Sequence, residues 1–439
     1  MVDGPSGMTG TEGRSVVVVD GCRTPFLRSG TAYRDQTAYD LGRMALAGLL
    51  HRTPIEPAEV DLLVMGTVIA DPTTSNLARE CGLAAGIPAA CPAYTVTAAC
   101  VSANVAFQDA ANAIAVGSAD VAIAGGAETL SDVPIRVSRP IRKRLIAGQK
   151  ARGIGDWLKL ARGLRFRDLA PEVPPIADFS TGLTMGQNAE RLVKRIGISR
   201  EDQDRYAMAS HQRAAQATRD GSFERQVITA RVPRGFEAIR EDNGIRGDSS
   251  MENLGKLRPA FDRKFGTITA GNASYLTDGA SAVLLASESK ARENGLRPMA
   301  RVAGFCMTAC DPLEELLLGP AFAVPEVLSR TGLGLEQMDV VELHEAFAGQ
   351  VLAVLKLLAD EDFARERLGR DSAVGEVDPD KLNAWGGSLS VGHPFGATGG
   401  RLVTNCCHRL EREQGRFGLV SACASGGLGY AIVLERIEW

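Results

Sequence analysis

Four short segments carry the side chains able to do covalent chemistry: Thr97-Ala-Ala-Cys100-Val-Ser-Ala-Asn104, His344-Glu-Ala-Phe-Ala348, Gly392-His-Pro-Phe-Gly-Ala-Thr-Gly399 and Cys423-Ala-Ser-Gly-Gly427. Together they hold two thiols and two imidazoles. That set suits making or breaking a carbon–carbon bond beside a thioester. One sulfur holds an acyl group, the other moves a proton, and an imidazole serves as base.

Each residue has its own argument and a plainer rival. From Val96 to Gly117 the one charged residue is Asp109, and alanine recurs at 98, 99, 103, 106, 110, 111, 113 and 115. This predicts a helix packed on most sides and opened by Cys100. A thiol in that first turn sits at the positive end of the macrodipole, which favours ionisation below the ~8.5 of a free cysteine. The rival reading is a small buried hydrophobe. His393 lies among glycines 386, 387, 392, 396, 399 and 400, with Pro394 stiffening the turn. Such a turn places an imidazole closely, and imidazole suits taking a thiol proton near pH 7. An ordinary loop histidine is the alternative. Cys423 is expected to end an apolar strand over 417–422 and to face a cleft into which the following turn points its N–H groups. A core cysteine is the alternative there. His344 follows the apolar run Val340–Leu343, leads into a helix, and by itself says least.

The positioning elements alternate. Strands are predicted at Val16–Asp20, Leu62–Gly66 and Val121–Ala124, with helices at about Tyr39–Leu50 and within Tyr94–Gly117, an α/β pattern. The pattern repeats. The segment from His51 through Asp61 to Val64 is similar to that from Ser329 through Asp339 to Glu342, and Ala119–Gly126 parallels Gly418–Gly427. Two similar halves are therefore expected. Between them, a basic stretch from 136 to 167 has eleven Lys/Arg against one acid, Asp156. It reads as a solvated helix face, a polyphosphate cradle, an acidic-partner contact or a contact with an anionic membrane surface.

Bulk properties narrow the class. With 439 residues, 45% of them hydrophobic, the chain can build a large core. A net charge of −4 gives no general case for nucleic acid. No apolar run reaches the ~18 residues of a membrane span. Nine cysteines without a framework point to reduced thiols and the cytoplasm, and no metal site is expected. Residues 1–14 read as a tail without a targeting pattern, and the ending Ile437-Glu-Trp439 is not a peroxisomal address.

The four segments, in this order, resemble the thiolases, and the resemblance runs from Val16 to Glu435. Further matching stretches are Gly125-Gly-Ala-Glu-Thr129, Thr184-Met-Gly186, Thr269–Ser274 and Thr277-Asp-Gly-Ala280. Three features resemble the 3-ketoacyl-CoA thiolases that form β subunits of fatty-acid-oxidation complexes. These are His344-Glu-Ala-Phe347, Ser131–Arg136 followed by the basic insertion, and Asn383-Ala-Trp-Gly-Gly-Ser-Leu-Ser390.

The resemblance implies an α/β thiolase fold: two βαβαβαββ halves in a five-layered αβαβα core with an inserted, mostly helical loop domain. The implied division is a tail at 1–14, an N-terminal domain at 15–130 and 270–298, a loop domain at 131–269 and a C-terminal domain at 299–439. It implies an acyltransferase working by a ping-pong reaction. His393 deprotonates Cys100, which takes the acyl group of a 3-ketoacyl-CoA; Cys423 protonates the leaving acetyl-CoA carbanion and then activates a fresh CoA. One oxyanion site would use the N–H groups of Cys100 and Ser425, the other the rings of His393 and His344. Many thiolases have glycine where Ser425 stands, and the serine side chain is expected to narrow or polarise the pocket. Met185, Ala270 and Ser274 would line the pantetheine channel. CoA is then a co-substrate, with no resident cofactor. Implied partners are a second copy of the chain, as a dimer or dimer of dimers, and an α subunit with hydratase and dehydrogenase activity. Alternatives on the same scaffold are a biosynthetic acetoacetyl-CoA thiolase and a non-catalytic acyl-CoA carrier.

Overall fold

The computed structural model describes residues 13–172, 177–233 and 235–439. The expected tail therefore lies outside the described residues up to residue 12. Arg14 is tied down, donating to Asp120 Oδ1 at 2.7 Å. The Pro-rich joint at 171–175 lies outside them from residue 173.

The first half runs β1 (Val16–Arg23), β2 (Leu27–Arg28), α1 (Ala38–Arg52), β3 (Leu62–Gly66), α2 (Leu77–Ala84), β4 (Ala93–Val96), α3 (Ser102–Ala115) and β5 (Val121–Glu128). The insertion follows, with α4 (Arg139–Gly148), α5 (Ile154–Ala161), α6 (Met185–Ile196), α7 (Arg200–Arg219), β6 (Ala230–Arg231), β7 (Ala238–Ile239) and α8 (Met251–Gly255). Then come β8 (Thr277–Ser287), α9 (Glu288–Glu293), β9 (Ala300–Ala309), α10 (Gly319–Thr331), β10 (Val340–Leu343), α11 (Ala348–Leu358), α12 (Glu361–Leu368), α13 (Thr398–Glu413), β11 (Phe417–Ala424) and β12 (Leu428–Glu435).

The main strands lie in the order β10-β11-β12-β9-β1-β8-β5-β3-β4. The two halves join where Val17 and Val18 pair with Arg301 and Ala300. In the first half β3 pairs in parallel with β4 and β5, while β8 runs antiparallel to β5 and β1. The second half repeats this with β10 parallel to β11 and β12 antiparallel to β11 and β9. A single parallel bridge, Val341 to Leu382, stands where β4 stands in the first half.

Period-two alternation sorts the strand side chains into layers. Val17, Leu63, Met65 and Ile123 face α1 and α2. Val18, Val64, Ala122 and Ala124 turn the other way, onto α3 and α13, and meet Val420, Ala422 and Ile432 of the second half there. Val341, Leu343, Leu419 and Val433 face α10 and α11. The result is helix, strand, helix, strand, helix, with α3 and α13 in the middle. The repeat read from the sequence has a physical basis: Asp61 Oδ2 accepts from the N–H groups of Asp120 and Val121 ahead of β5. Asp339 Oδ2 does the same for Arg416 and Phe417 ahead of β11.

Several boundaries differ from the sequence reading. Cys100 precedes its helix, because residues 93–96 pair with β3 and the chain must turn before α3 begins at Ser102. Cys423 lies within β11, paired with Gly429, and is only 1% exposed. The strand thus continues past it instead of ending there, and the turn that follows meets the Cys310 carbonyl at Gly427 and the Asp178 carboxylate at the Gly426 N–H. Among the described residues no helix is long and apolar enough to cross a membrane.

Candidate active site

The four segments converge where the central helices begin. Ala99 holds a positive φ of 48° immediately before Cys100, a conformation costly for a residue with a Cβ. Ser102 stabilises it, accepting from the Ala98 N–H at 2.8 Å and donating to the Ala99 carbonyl at 2.6 Å. Cys100 is half-buried. Its sulfur and ring nitrogens of His344 and His393 lie within 4.8 Å of one another. Among the described residues this is the one group of three His, Cys, Asp or Glu ligand atoms so close, so the metal-like convergence and the reactive cluster coincide.

The two imidazoles are stacked at 4.1 Å between centroids, tilted by 45°. Their outer nitrogens have hydroxyl partners. The Thr398 hydroxyl donates to the Pro394 carbonyl at 2.9 Å and lies 2.7 Å from His393 Nδ1. Its single proton is thus used, so it accepts from Nδ1–H, leaving the His393 Nε2 lone pair free. Ser388 Oγ accepts from the buried Arg401 at 2.7 Å and lies 2.9 Å from His344 Nδ1. Its proton is free for that nitrogen, and with Ser388 donating to Nδ1 the His344 Nε2 carries the N–H. Both Nε2 atoms are buried without a protein partner. One ring therefore offers a base and the other a hydrogen-bond donor.

Burial sets the resting protonation states, and here the sequence expectation reverses. Burial first, then the Glu128 carboxylate, pushes the Cys100 thiol up to about 12, against the pull of the Ser425 and Cys100 N–H groups. Desolvation thus outweighs the pull of those N–H groups. His393 is held at about 3 by burial and then by the Arg401 guanidinium. His344 lies well below its ordinary value from burial, His393 and Arg401. Cys423 is raised by burial and by the neighbouring Cys100. At rest burial thus favours the neutral forms of both thiols and both imidazoles.

A frame that sequence reasoning missed holds two of the four segments, His344–Ala348 and Gly392–Gly399. Glu345 accepts from Asn383 Nδ2 at 2.8 Å, the Leu389 N–H at 3.1 Å, Tyr206 at 2.9 Å and Ser210 at 2.8 Å. It thereby ties α7 of the insertion to the turn before His393. Glu128 accepts from the N–H groups of Val68, Ile69 and Gly396 at 2.9–3.0 Å, joining β5 to the His393 turn. Both glutamates lay inside stretches noticed for other reasons, Gly125–Thr129 and His344–Phe347. The sequence signal was an acid next to an otherwise apolar strand end.

Of the expected channel residues, Met185 opens α6 and packs half-buried near Phe347 and Ala273. Ser274 donates its N–H to the Ala346 carbonyl at 3.0 Å, and Ala270 is exposed. Of the three, Ser274 is tied directly to the His344–Phe347 segment. The Ser425 hydroxyl is directed at Asp178, at 3.3 Å, and not at the cysteines. Two surface grooves, of about 310 Å³ beside Arg191 and Glu314 and about 340 Å³ beside Arg225 and His408, have none of the four reactive residues in their walls.

Residues 16–289 match the family model "Thiolase, N-terminal domain" and residues 296–436 match "Thiolase, C-terminal domain". The chain belongs to the thiolase family. It is 49% identical over 422 residues to the mitochondrial trifunctional enzyme subunit beta of Homo sapiens, covering 96% of this chain and 88% of that one. It is 47% identical over 424 residues to a 3-ketoacyl-CoA thiolase of Yersinia enterocolitica, covering 97% of each. Among solved structures, human mitochondrial 3-ketoacyl-CoA thiolase in complex with CoA superimposes with a TM-score of 0.82 at 32% identity, covering 97% of this chain and 98% of that one. The acetyl-CoA acetyltransferase of Bacillus anthracis superimposes at 0.83 and 32%, covering 98% and 100%.

Proposed function

We propose that this protein is a 3-ketoacyl-CoA thiolase, an acyltransferase that cleaves 3-ketoacyl-CoA with CoA to acetyl-CoA and a shortened acyl-CoA in fatty-acid β-oxidation. The observation that carries this reading is the pair of imidazoles around Cys100 with opposite outer partners. His393 Nε2, unprotonated, takes the proton of Cys100 as the sulfur attacks the 3-keto carbon. His344 Nε2–H, and His393 once protonated, stabilise negative charge on substrate oxygen. The buried setting, which disfavours both charges at rest, strengthens each hydrogen bond to the developing oxyanion.

Cys423, whose sulfur interacts with Cys100, protonates the departing acetyl-CoA carbanion and then deprotonates the incoming CoA. The N–H groups of Cys100 and Ser425, both directed at the Cys100 sulfur, hold the oxyanion of the acyl-transfer step. Met185, Ala270 and Ser274 guide the pantetheine arm past the His344–Phe347 segment. We read the chain as divided at 130, 269 and 298, with 131–269 supplying the walls of the CoA channel, a reading supported by β8 lying beside β1 and β5 of the first half.

Two surfaces support partners. The α4–α5 hairpin exposes Ile146, Ile154, Trp157 and Leu158 beside its basic residues. It is the place for an α-type subunit or an anionic membrane surface. Strand β4 ends the sheet and leaves Tyr94 39% exposed, a free edge suited to pairing with a second copy. The nine cysteines are all free, which supports a reducing compartment, the cytoplasm.

The direct test is CoA-dependent cleavage of 3-ketoacyl-CoA substrates of about four to sixteen carbons, across the range an apolar acyl pocket can bury. Cleavage of chains longer than acetoacetyl-CoA supports the reading. Activity on acetoacetyl-CoA alone would favour the biosynthetic alternative, and no turnover on any chain would leave only the carrier role.

A further inference from the structure

The insertion reaches the Cys423–Gly427 turn at one side chain. Asp178, 4% exposed, organises its own turn. Its Oδ1 accepts from the Ser180 N–H at 3.0 Å, the Ser180 hydroxyl at 2.6 Å and the Thr181 N–H at 3.1 Å. Its main chain closes the same turn, with N–H to the Leu183 carbonyl and carbonyl from the Gly182 N–H, each at 2.9 Å. The second oxygen crosses to the reactive turn. Oδ2 accepts from the Gly426 N–H at 3.0 Å and the Ser425 hydroxyl at 3.3 Å.

That turn has little else to hold it. Gly426 and Gly427 have φ values of +84° and +74° and no side chains to pack. On the far side, Cys310 N–H donates to the Gly427 carbonyl at 2.8 Å. Between Gly426 and Cys423 lie Ala424 and Ser425, and the Ser425 N–H acts on the Cys100 sulfur as a hydrogen-bond donor that lowers its pKa. A hydrogen bond from an N–H to a carboxylate is stronger than one between neutral groups, so Asp178 is well suited to fix the direction of its neighbours.

We propose that Asp178 is a positioning residue for acyl transfer: its carboxylate fixes the Ser425–Gly426 peptide so that the Ser425 N–H stays aimed at the Cys100 sulfur and the carbonyl that sulfur carries. The inference rests on the reading of Cys100 as the nucleophile. It gives the serine at 425 a task that glycine could not perform, a second donor to the clamp. It also makes the fold of the insertion part of the chemistry, because the same carboxylate closes the 178–183 turn.

The test uses the full chain with Asp178→Ala and Asp178→Asn, read by steady-state kinetics and by the pH dependence of Cys100 alkylation by iodoacetamide without substrate. A misaimed donor costs about 10- to 100-fold in rate. Asp178→Ala is expected to lose that much in kcat, with KM within about threefold and the alkylation profile moved to higher pH as the sulfur loses its donor. Asp178→Asn keeps one acceptor oxygen for two turns and should fall between. A folded Asp178→Ala with unchanged kcat and an unshifted profile overturns the proposal, as does activity lost only in proportion to folded protein with the profile unshifted. If Asp178→Ala does not fold, Asp178→Asn decides by the same two readouts. If iodoacetamide inactivates the parent enzyme at a residue other than Cys100, the nucleophile assignment fails, which is a different outcome.

Discussion

At the residue scale, the two histidines are distinguished by what stands behind them. Thr398, its proton given to Pro394, stands as an acceptor to His393, and Ser388, already accepting from Arg401, has its proton for His344, an arrangement that favours opposite tautomers in adjacent rings of the same kind. Thr398→Val removes the acceptor and leaves Nδ1–H buried without a partner. The imidazole can then shift its proton to Nε2 and lose its basic face toward Cys100. We expect kcat to fall about 100-fold, the order found when a catalytic base loses its correct orientation, with thermal stability lowered by about 1–3 kcal/mol. Activity within a few-fold of the parent would mean the tautomer is set otherwise. The identities of the reactive residues were legible in the sequence, because thiols and imidazoles stood beside glycine turns and strand ends. Their protonation was not. The sequence places Cys100 near a helix N-terminus, which argues for a low pKa, but burial from layers hundreds of residues away decides the sign.

At the element scale, α3 follows Cys100 and α13 follows His393, so the crossing of these central helices sets the distance from nucleophile to base. Gly399 makes that crossing possible: a Cβ there would lie 2.4 Å from Asn104 Oδ1 and 2.6 Å from the Asn104 backbone nitrogen. Gly399→Ala should push the helices apart, cost about 1–3 kcal/mol in unfolding free energy, and lower kcat by more than tenfold as the reacting atoms separate. Denaturant melts together with kinetics check both numbers. Full activity in a stable Gly399→Ala variant would show that the helix spacing is not what aligns the site. The sequence flagged the glycines around His393 as placing an imidazole. It could not say that one of them serves a second helix, because the partner is Asn104, almost three hundred positions earlier. The fold class itself was legible from alternation and from the Asp61 and Asp339 repeats. The edge strand matching β4 in the second half was not foreseen to shrink to one bridge at Leu382.

At the scale of the molecule, four of the five histidines are buried as neutral rings. His211 is held at about 4 by burial and then Arg246, while His393 and His408 lie at about 3, burial being the main cause in each. His344 is lowered too. In the unfolded chain each titrates near ~6.5, so the unfolded state binds more protons between that value and about 3–4. Stability therefore rises with pH through this window and is lost as pH falls from about 6.5 toward 4. Glu128, raised to about 7 chiefly by burial, acts oppositely between its unfolded value near ~4.3 and neutrality, as do the raised carboxyls of Asp20, Asp109, Asp278 and Glu342, whereas the lowered carboxyls of Asp71, Asp120, Asp178, Asp262 and Glu288 act with the imidazoles. Calorimetry should give a melting temperature that drops steeply below pH 6. A melting temperature flat from pH 7 to pH 4 would mean these rings are hydrated or paired in solution.

The central claim is that Cys100 carries the acyl group, and intact-mass measurement after mixing enzyme with a 3-ketoacyl-CoA in the absence of free CoA tests it most directly. The account predicts an adduct of the shortened acyl group, mapped to the Cys100 peptide, absent in Cys100→Ser and discharged by added CoA. Turnover without any such adduct, or an acyl group mapped to Cys423 or Cys310, would contradict it.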